Sequence, residues 1–156
     1  MNVISEKLIN LDIVAHSKQE AVNKLGSLLR DSGRLNDFDA YINNVIEREK
    51  LATTGIGFGI AIPHGKTDAV NVVSVAIGRL VEPLEWNSLD GEKVQMIFLL
   101  AVPEKSKGDE HLRILSELSR KLIHKDFRER LFQAENSSEV ISLIGETLNK
   151  TLEAVI

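Results

Sequence analysis

The chain has 156 residues, the size of one domain, with 43% hydrophobic residues and a formal net charge of -4. Its lysines and arginines are scattered, which argues against a nucleic-acid partner because such a partner needs a basic face. Cysteine is absent, so disulfides, thiolate nucleophiles and cysteine-ligated zinc are excluded. The N-terminal stretch lacks a basic segment followed by a long apolar core, so it does not read as a signal peptide. The longest apolar run, Met96 to Pro103, is far too short to span a bilayer. A single cytoplasmic domain over residues 1–156 is expected, and a membrane-bound partner stays compatible with it.

In chain order, Ser17-Lys18-Gln19-Glu20 is a capping box, in which hydroxyl and carboxylate each satisfy an orphan N–H. Ala21, Val22, Leu25, Leu28 and Leu29 follow at helical spacing, and Gly33 is a stop. A second helix is expected over Asp39 to Leu51, with Tyr41, Ile42, Val45 and Ile46 inward. The middle is β-branched and apolar: Gly59 to Ile62, Val72 to Leu80 and Val94 to Val102 read as buried strands. Asp109 opens a helix with Leu112, Leu115, Leu118 and Leu122 on one face, and Asp126 and Asn136 mark two more helix starts. This order predicts an α/β layered domain with a mixed parallel/antiparallel sheet.

The candidate for chemistry is His64, in Gly59-Ile60-Ala61-Ile62-Pro63-His64-Gly65. Pro63 fixes its own φ and biases Ile62 toward extended backbone, so a strand is expected to end firmly before His64. Gly65 permits a turn or a close approach by another molecule. A core histidine at a strand end fits the same residues. Upstream lie Glu47-Arg48-Glu49-Lys50 and the glycine-rich Thr53-Thr54-Gly55-Ile56-Gly57-Phe58-Gly59. A phosphoryl group needs cations and fixed N–H donors, which Arg48 and the glycine-rich turn could supply. Arg48 reads equally well as an exposed helix-end charge paired with Glu47 or Glu49.

Two motif readings fail. Gly65-Lys66-Thr67 mimics the end of a P-loop, but Ile60 stands where that motif needs its first glycine. Gly55-x-Gly57 lacks the third glycine of a dinucleotide fingerprint, because Ile60 occupies that place too. Of the other histidines, His111 opens a helix after the polar loop Glu104 to Glu110 and could face a shared cleft or be an exposed helix-end residue. His16 and His124 read as surface residues near helix ends. No histidine pair has metal-ligand spacing such as i, i+4.

The segment from Glu47 through Thr53, Thr54 and Gly55 to His64 and Gly65 resembles the active-site signature of the mannitol/fructose-type enzyme IIA domain, part of the bacterial phosphoenolpyruvate-dependent sugar phosphotransferase system. The resemblance in length and element order covers nearly the whole chain. It implies a mixed sheet flanked by helices on both faces. It also implies that His64 accepts a phosphoryl group from phospho-HPr and passes it to a cognate enzyme IIB, which serves a membrane enzyme IIC. Within that pattern Arg48 matches the arginine that neutralises the phosphoryl group, and His111 matches the second active-site histidine. Thr54 falls where the family places a small hydroxyl residue near the phosphate, with Gly55 beside it.

The chemistry expected is attack by neutral imidazole, with Nδ1–H of His64 donating to a backbone carbonyl and Nε2 meeting the phosphorus. No metal or organic cofactor is expected, since the phosphoryl group arrives activated. Two further readings remain: a regulatory binding module like the nitrogen-regulatory branch of the same family, and a metal-dependent hydrolase using His64 and His111. Ile56, Phe58 and Ile60 could rim a docking surface or belong to the core, the core being expected for Ile60 and Ile62.

Overall fold

The computed structural model describes residues 2–106, 110–145 and 148, the side chains of Glu110 and His111 excepted. The expected helix start at Asp109 lies outside these residues, as does almost all of the C-terminal stretch after Gly145.

The first strand, β1 (Ile9–Ile13), alternates apolar and polar residues and buries Ile9, Leu11 and Ile13. Sequence reading passed over it. The helix α1 (Lys18–Asp31) follows, with the Ser17 side chain accepting from the Glu20 N–H. Glu20 reaches back to the N–H of His16 rather than of Ser17, a capping box shifted by one residue. Gly33, at φ +74°, ends the helix region as expected. The second helix, α2 (Phe38–Leu51), starts one residue earlier than expected because Asp37 caps it through the Ala40 N–H. Its buried stripe is Tyr41, Ile42 and Val45, with Ile46 half-buried against the same core.

Three short strands come next: β2 (Gly55–Gly57), β3 (Ile60–Ala61) and β4 (His64–Thr67). Two long ones complete the sheet, β5 (Ser74–Leu84) and β6 (Val94–Pro103). The order is β1-β5-β6-β3-β2, with β4 also on β6. The β1–β5, β3–β6 and β4–β6 pairings are parallel, whereas β2–β3 and β5–β6 are antiparallel. The sheet is therefore mixed, as expected.

A strand ends before His64 as expected, since β3 stops at Ala61, but a new one, β4, opens at His64 itself. Ile60 and Ala61 stand opposite Met96 and Ile97, and His64 stands opposite Leu100 in the same register. One extended segment thus runs past β6, interrupted where Pro63 has no N–H to give. Pro63 still accepts from the Leu100 N–H at 2.9 Å, so the segment stays tethered across the gap. His64 opens the second half of this segment.

Helices cover both faces. Tyr41, Val45, Leu25 and Leu29 of α1 and α2 pack with Ala61, Ile97 and Leu99 on one side. Ile60, Ile62, Phe98 and Leu100 pack on the other side. That face is covered by α3 (Glu110–Leu122), α4 (Lys125–Gln133) and the short α5 (Ser137–Val140), which runs on into a wider π-helical turn, Ile141–Gly145. In α3 the inward residues are Ile114, Leu118 and Leu122, while Leu112 is 56% exposed. The leucine face expected from the sequence is thus rotated, with Ile114 taking the place given to Leu112. No helix among the described residues is long and apolar enough to cross a membrane.

Candidate functional site

The site is built where β4 becomes the edge of the sheet beside the end of α2. Side chains alternate along an extended segment, so His64 shares the face of Ile62, the one packed under α3. Gly65 faces the other way, onto α2. A Cβ there would come within 2.9 Å of Asn44 Oδ1 and Val45 Cγ2 and 3.1 Å of Tyr41 Cε1. The close approach that Gly65 permits is therefore between strand and helix of the same chain, and it brings the end of α2 alongside His64.

Asn44, Glu47, Arg48 and Leu51 of α2 together with His64 and Lys66 of β4 line an open cleft of about 430 Å³. These α2 residues recur at helical spacing, on a different stripe from the buried Tyr41 and Val45. Asn44 Oδ1 accepts the Lys66 backbone N–H at 3.1 Å and ties the walls together. His64 is half-buried, with Nδ1 3.1 Å from the Ile62 carbonyl oxygen. A carbonyl only accepts, so this contact is a hydrogen bond when Nδ1 carries the proton, and in that tautomer the ring's basic lone pair is on Nε2.

Arg48 is brought to this cleft, where Nη1 donates to the Ala52 carbonyl at 3.0 Å. Neither carboxylate suggested as its partner holds it. Glu47 pairs with Lys50 at 3.0 Å, and Glu49 turns inward to Thr54, Trp86 and Lys18. Among the described residues no carboxylate lies within ion-pair distance of Arg48 or Lys66. The cleft therefore sets two cations, neither ion-paired among the described residues, beside a histidine with a directed ring, an arrangement suited to an anion at Nε2.

Thr54 and Gly55 are not among the residues lining this cleft. Thr54 is buried, its N–H donates to Glu49 at 2.7 Å, and its hydroxyl bonds the same carboxylate. The Gly55 N–H goes to Thr53 Oγ1 at 3.1 Å, and a Cβ on Gly55 would fall 2.3 Å from Ser88 Oγ. The Phe58 N–H is taken by Asp90 at 3.0 Å. The N–H donors expected of the glycine-rich turn are, at these three positions, committed to the chain itself. Phe58, at φ +60°, is 55% exposed with the Arg128 guanidinium 4.0 Å over its ring, whereas Ile60 and Ile62 are core as expected.

His111 is the second residue of α3, the helix that packs on the face carrying Ile62, but its side chain lies outside the described residues. His16 and His124 are exposed and away from the cleft. Gly65-Lys66-Thr67 lies in an extended strand, not in a phosphate-cradling loop. Sequence reading missed Asn44 and Lys66 as cleft residues. The signals were available: Asn44 is one turn before Arg48 on α2, and Lys66 is two residues beyond His64 on β4.

Residues 2–147 match the model of the family described as Phosphoenolpyruvate-dependent sugar phosphotransferase system, EIIA 2. The chain belongs to this family. The EIIA chain is 42% identical over 142 residues to a PTS system fructose-specific EIIA component of Haloferax volcanii, covering 91% of this chain and 92% of that one. It is 34% identical over 144 residues to the PTS system fructose-specific EIIABC component of Bacillus subtilis, of which it spans 22% while 92% of its own length is matched. Among solved structures, it is similar to the nitrogen regulatory protein IIA-Ntr of Neisseria meningitidis. There the TM-score is 0.83 at 34% identity, over 90% of this chain and 95% of that one.

Proposed function

We propose that His64 is the phosphoryl carrier of this EIIA chain, accepting from phospho-HPr and passing to a cognate enzyme IIB in fructose- or mannitol-type sugar uptake. The observation that carries the proposal is the His64 ring, oriented by the Ile62 carbonyl beside two cations that have no carboxylate partner among the described residues. The family and the fructose-specific relatives support the same reading. The working place is the cytoplasm, where enzyme IIB delivers the group to a membrane enzyme IIC.

The step balances without a proton transfer. The Nε2 lone pair forms a P–N bond as the donor's P–N bond breaks and its electron pair returns to the donor nitrogen, while the proton stays on Nδ1, donated to the Ile62 carbonyl throughout. The phosphorylated ring then has formal imidazolium character, which the carbonyl dipole stabilises. Arg48 and Lys66 offset charge on the equatorial oxygens, and His111 is assigned as the second active-site histidine at the start of α3. Catalysis is positioning and charge neutralisation, since one P–N bond is exchanged for another. Thr54 and Gly55 act indirectly in this scheme, because their N–H groups are bonded within the chain.

A second reading is favoured by the similarity to the nitrogen regulatory protein: a module whose phosphorylation state governs a binding partner. Both use His64. Onward transfer from the phosphorylated chain to a panel of enzyme IIB domains tests the proposal. Rapid labelling of a fructose- or mannitol-type enzyme IIB is expected. A chain that accepts phosphate from phospho-HPr but labels no member of the panel is a regulator.

A further inference from the structure

We infer that Glu49 is a positioning residue for both His64 and Arg48, acting through Thr54; the inference rests on the reading of His64 as the phosphoryl carrier. Glu49 lies in the last turn of α2 with its side chain only 7% exposed. One carboxylate oxygen accepts the Thr54 N–H at 2.7 Å and lies 3.7 Å from Lys18 Nζ. The other accepts the Thr54 hydroxyl and, at 3.2 Å, the indole N–H of the fully buried Trp86. A carboxylate so far from water is held where it is by these donors, and they by it.

Two branches leave this clamp. The Thr54 carbonyl accepts the Ile62 N–H at 3.0 Å, and the Ile62 carbonyl in turn meets His64 Nδ1 at 3.1 Å. Two residues before Thr54, the Ala52 carbonyl accepts Arg48 Nη1 at 3.0 Å. The segment between them is held a third time by Thr53 Oγ1 donating to the Trp86 carbonyl at 3.0 Å. The ring that attacks and the cation that receives the phosphoryl oxygens thus hang from the one segment that Glu49 fixes. This is a positioning chain and not a proton path, since its successive bonds run through separate peptide units. It also gives Thr54 a role: the residue orders the site from behind.

Glu49→Gln keeps the shape, removes the charge and turns an amide NH₂ toward donors. In the folded variant, phosphate acceptance from phospho-HPr should fall about tenfold in kcat with KM unchanged, as expected for small misplacement of reacting groups. The ¹⁵N spectrum of the unphosphorylated His64 ring should pass from a single Nδ1–H tautomer to a mixture. Thr54→Val, which deletes only the hydroxyl from the clamp, should move both readouts the same way, and Thr54→Ser should restore them. If Glu49→Gln does not fold, the Thr54→Val and Thr54→Ser pair carries the test. Wild-type tautomer and kcat in the folded variants would overturn the proposal, as would a slower reaction with raised KM and an unaltered tautomer. Should wild-type His64 take no phosphate at all, the carrier reading fails, while the tautomer comparison still decides the role of Glu49.

Discussion

His64 Nδ1 sits 3.1 Å from the carbonyl oxygen of Ile62, two residues back along the same extended segment. On the proposed reading this contact gives the two ring nitrogens different tasks, with the proton on Nδ1 and Nε2 as the nucleophile. The phosphorylated protein should therefore carry its phosphoryl group on Nε2, read by ¹H–¹⁵N correlation of the ring. Phosphate on Nδ1 would contradict the assignment.

The role proposed for Arg48 is separable from folding. This residue is on the cleft wall, bonded to the Ala52 carbonyl and outside the buried core of α2. Arg48→Ala should leave the melting temperature within a few degrees of wild type and slow transfer roughly 100-fold, the scale for losing one fixed donor to developing charge. Arg48→Lys should recover part of the rate but not all, since a point charge lacks the planar fork. A wild-type rate in Arg48→Ala would remove it from the mechanism.

Gly65 tests the fit between strand and helix. Its hydrogen faces three α2 atoms within 3.1 Å of where a Cβ would stand, two of them on the core residues Tyr41 and Val45. Gly65→Ala should cost about 1–3 kcal/mol, the range for overpacking a tight contact. Because the added methyl separates β4 from α2, transfer should slow as well. Denaturant unfolding paired with transfer kinetics checks both; an unchanged stability would mean that the two elements part without cost.

Much of the architecture is legible in the sequence because it is written in caps and periods. Ser17 announces α1, the spacing of Tyr41, Ile42 and Val45 announces α2, and the apolar runs announce β5 and β6. Failures fall where partners decide the conformation. Gly55–Gly57 and His64–Thr67 have little strand propensity of their own and are extended because β3 and β6 lie beside them. Leu112 and Ile114 are both compatible with a helical stripe, and packing on the sheet selects Ile114. The site divides in the same way. His64 and Arg48 are legible as candidates from motif and chemistry, whereas the inward turn of Glu49 depends also on Trp86, 37 residues further along the chain.

Tyr41 ties α2 to β6, the strand on which β4 pairs. It is fully buried, donates its hydroxyl to the Leu100 carbonyl at 2.7 Å, and burial pushes its phenol well above the ordinary range. The folded state thus binds this proton more tightly than the unfolded chain. The contribution is complete below the unfolded value of about 10 and is lost as pH rises from there toward the folded value. Tyr41→Phe should cost about 1 kcal/mol near neutral pH through the lost hydrogen bond. Its stability should then fall less steeply than wild type above about pH 10, as urea unfolding from pH 8 to 11 would show. Parallel pH profiles would contradict the assignment.

Whether His64 carries the phosphoryl group is decided by supplying labelled phosphoenolpyruvate, enzyme I and HPr to the wild-type chain and to His64→Ala. One label per wild-type chain is expected, located on His64, and none on a folded His64→Ala. Normal labelling of that variant, or an unlabelled wild-type chain beside fully phosphorylated HPr, would contradict the carrier role of His64.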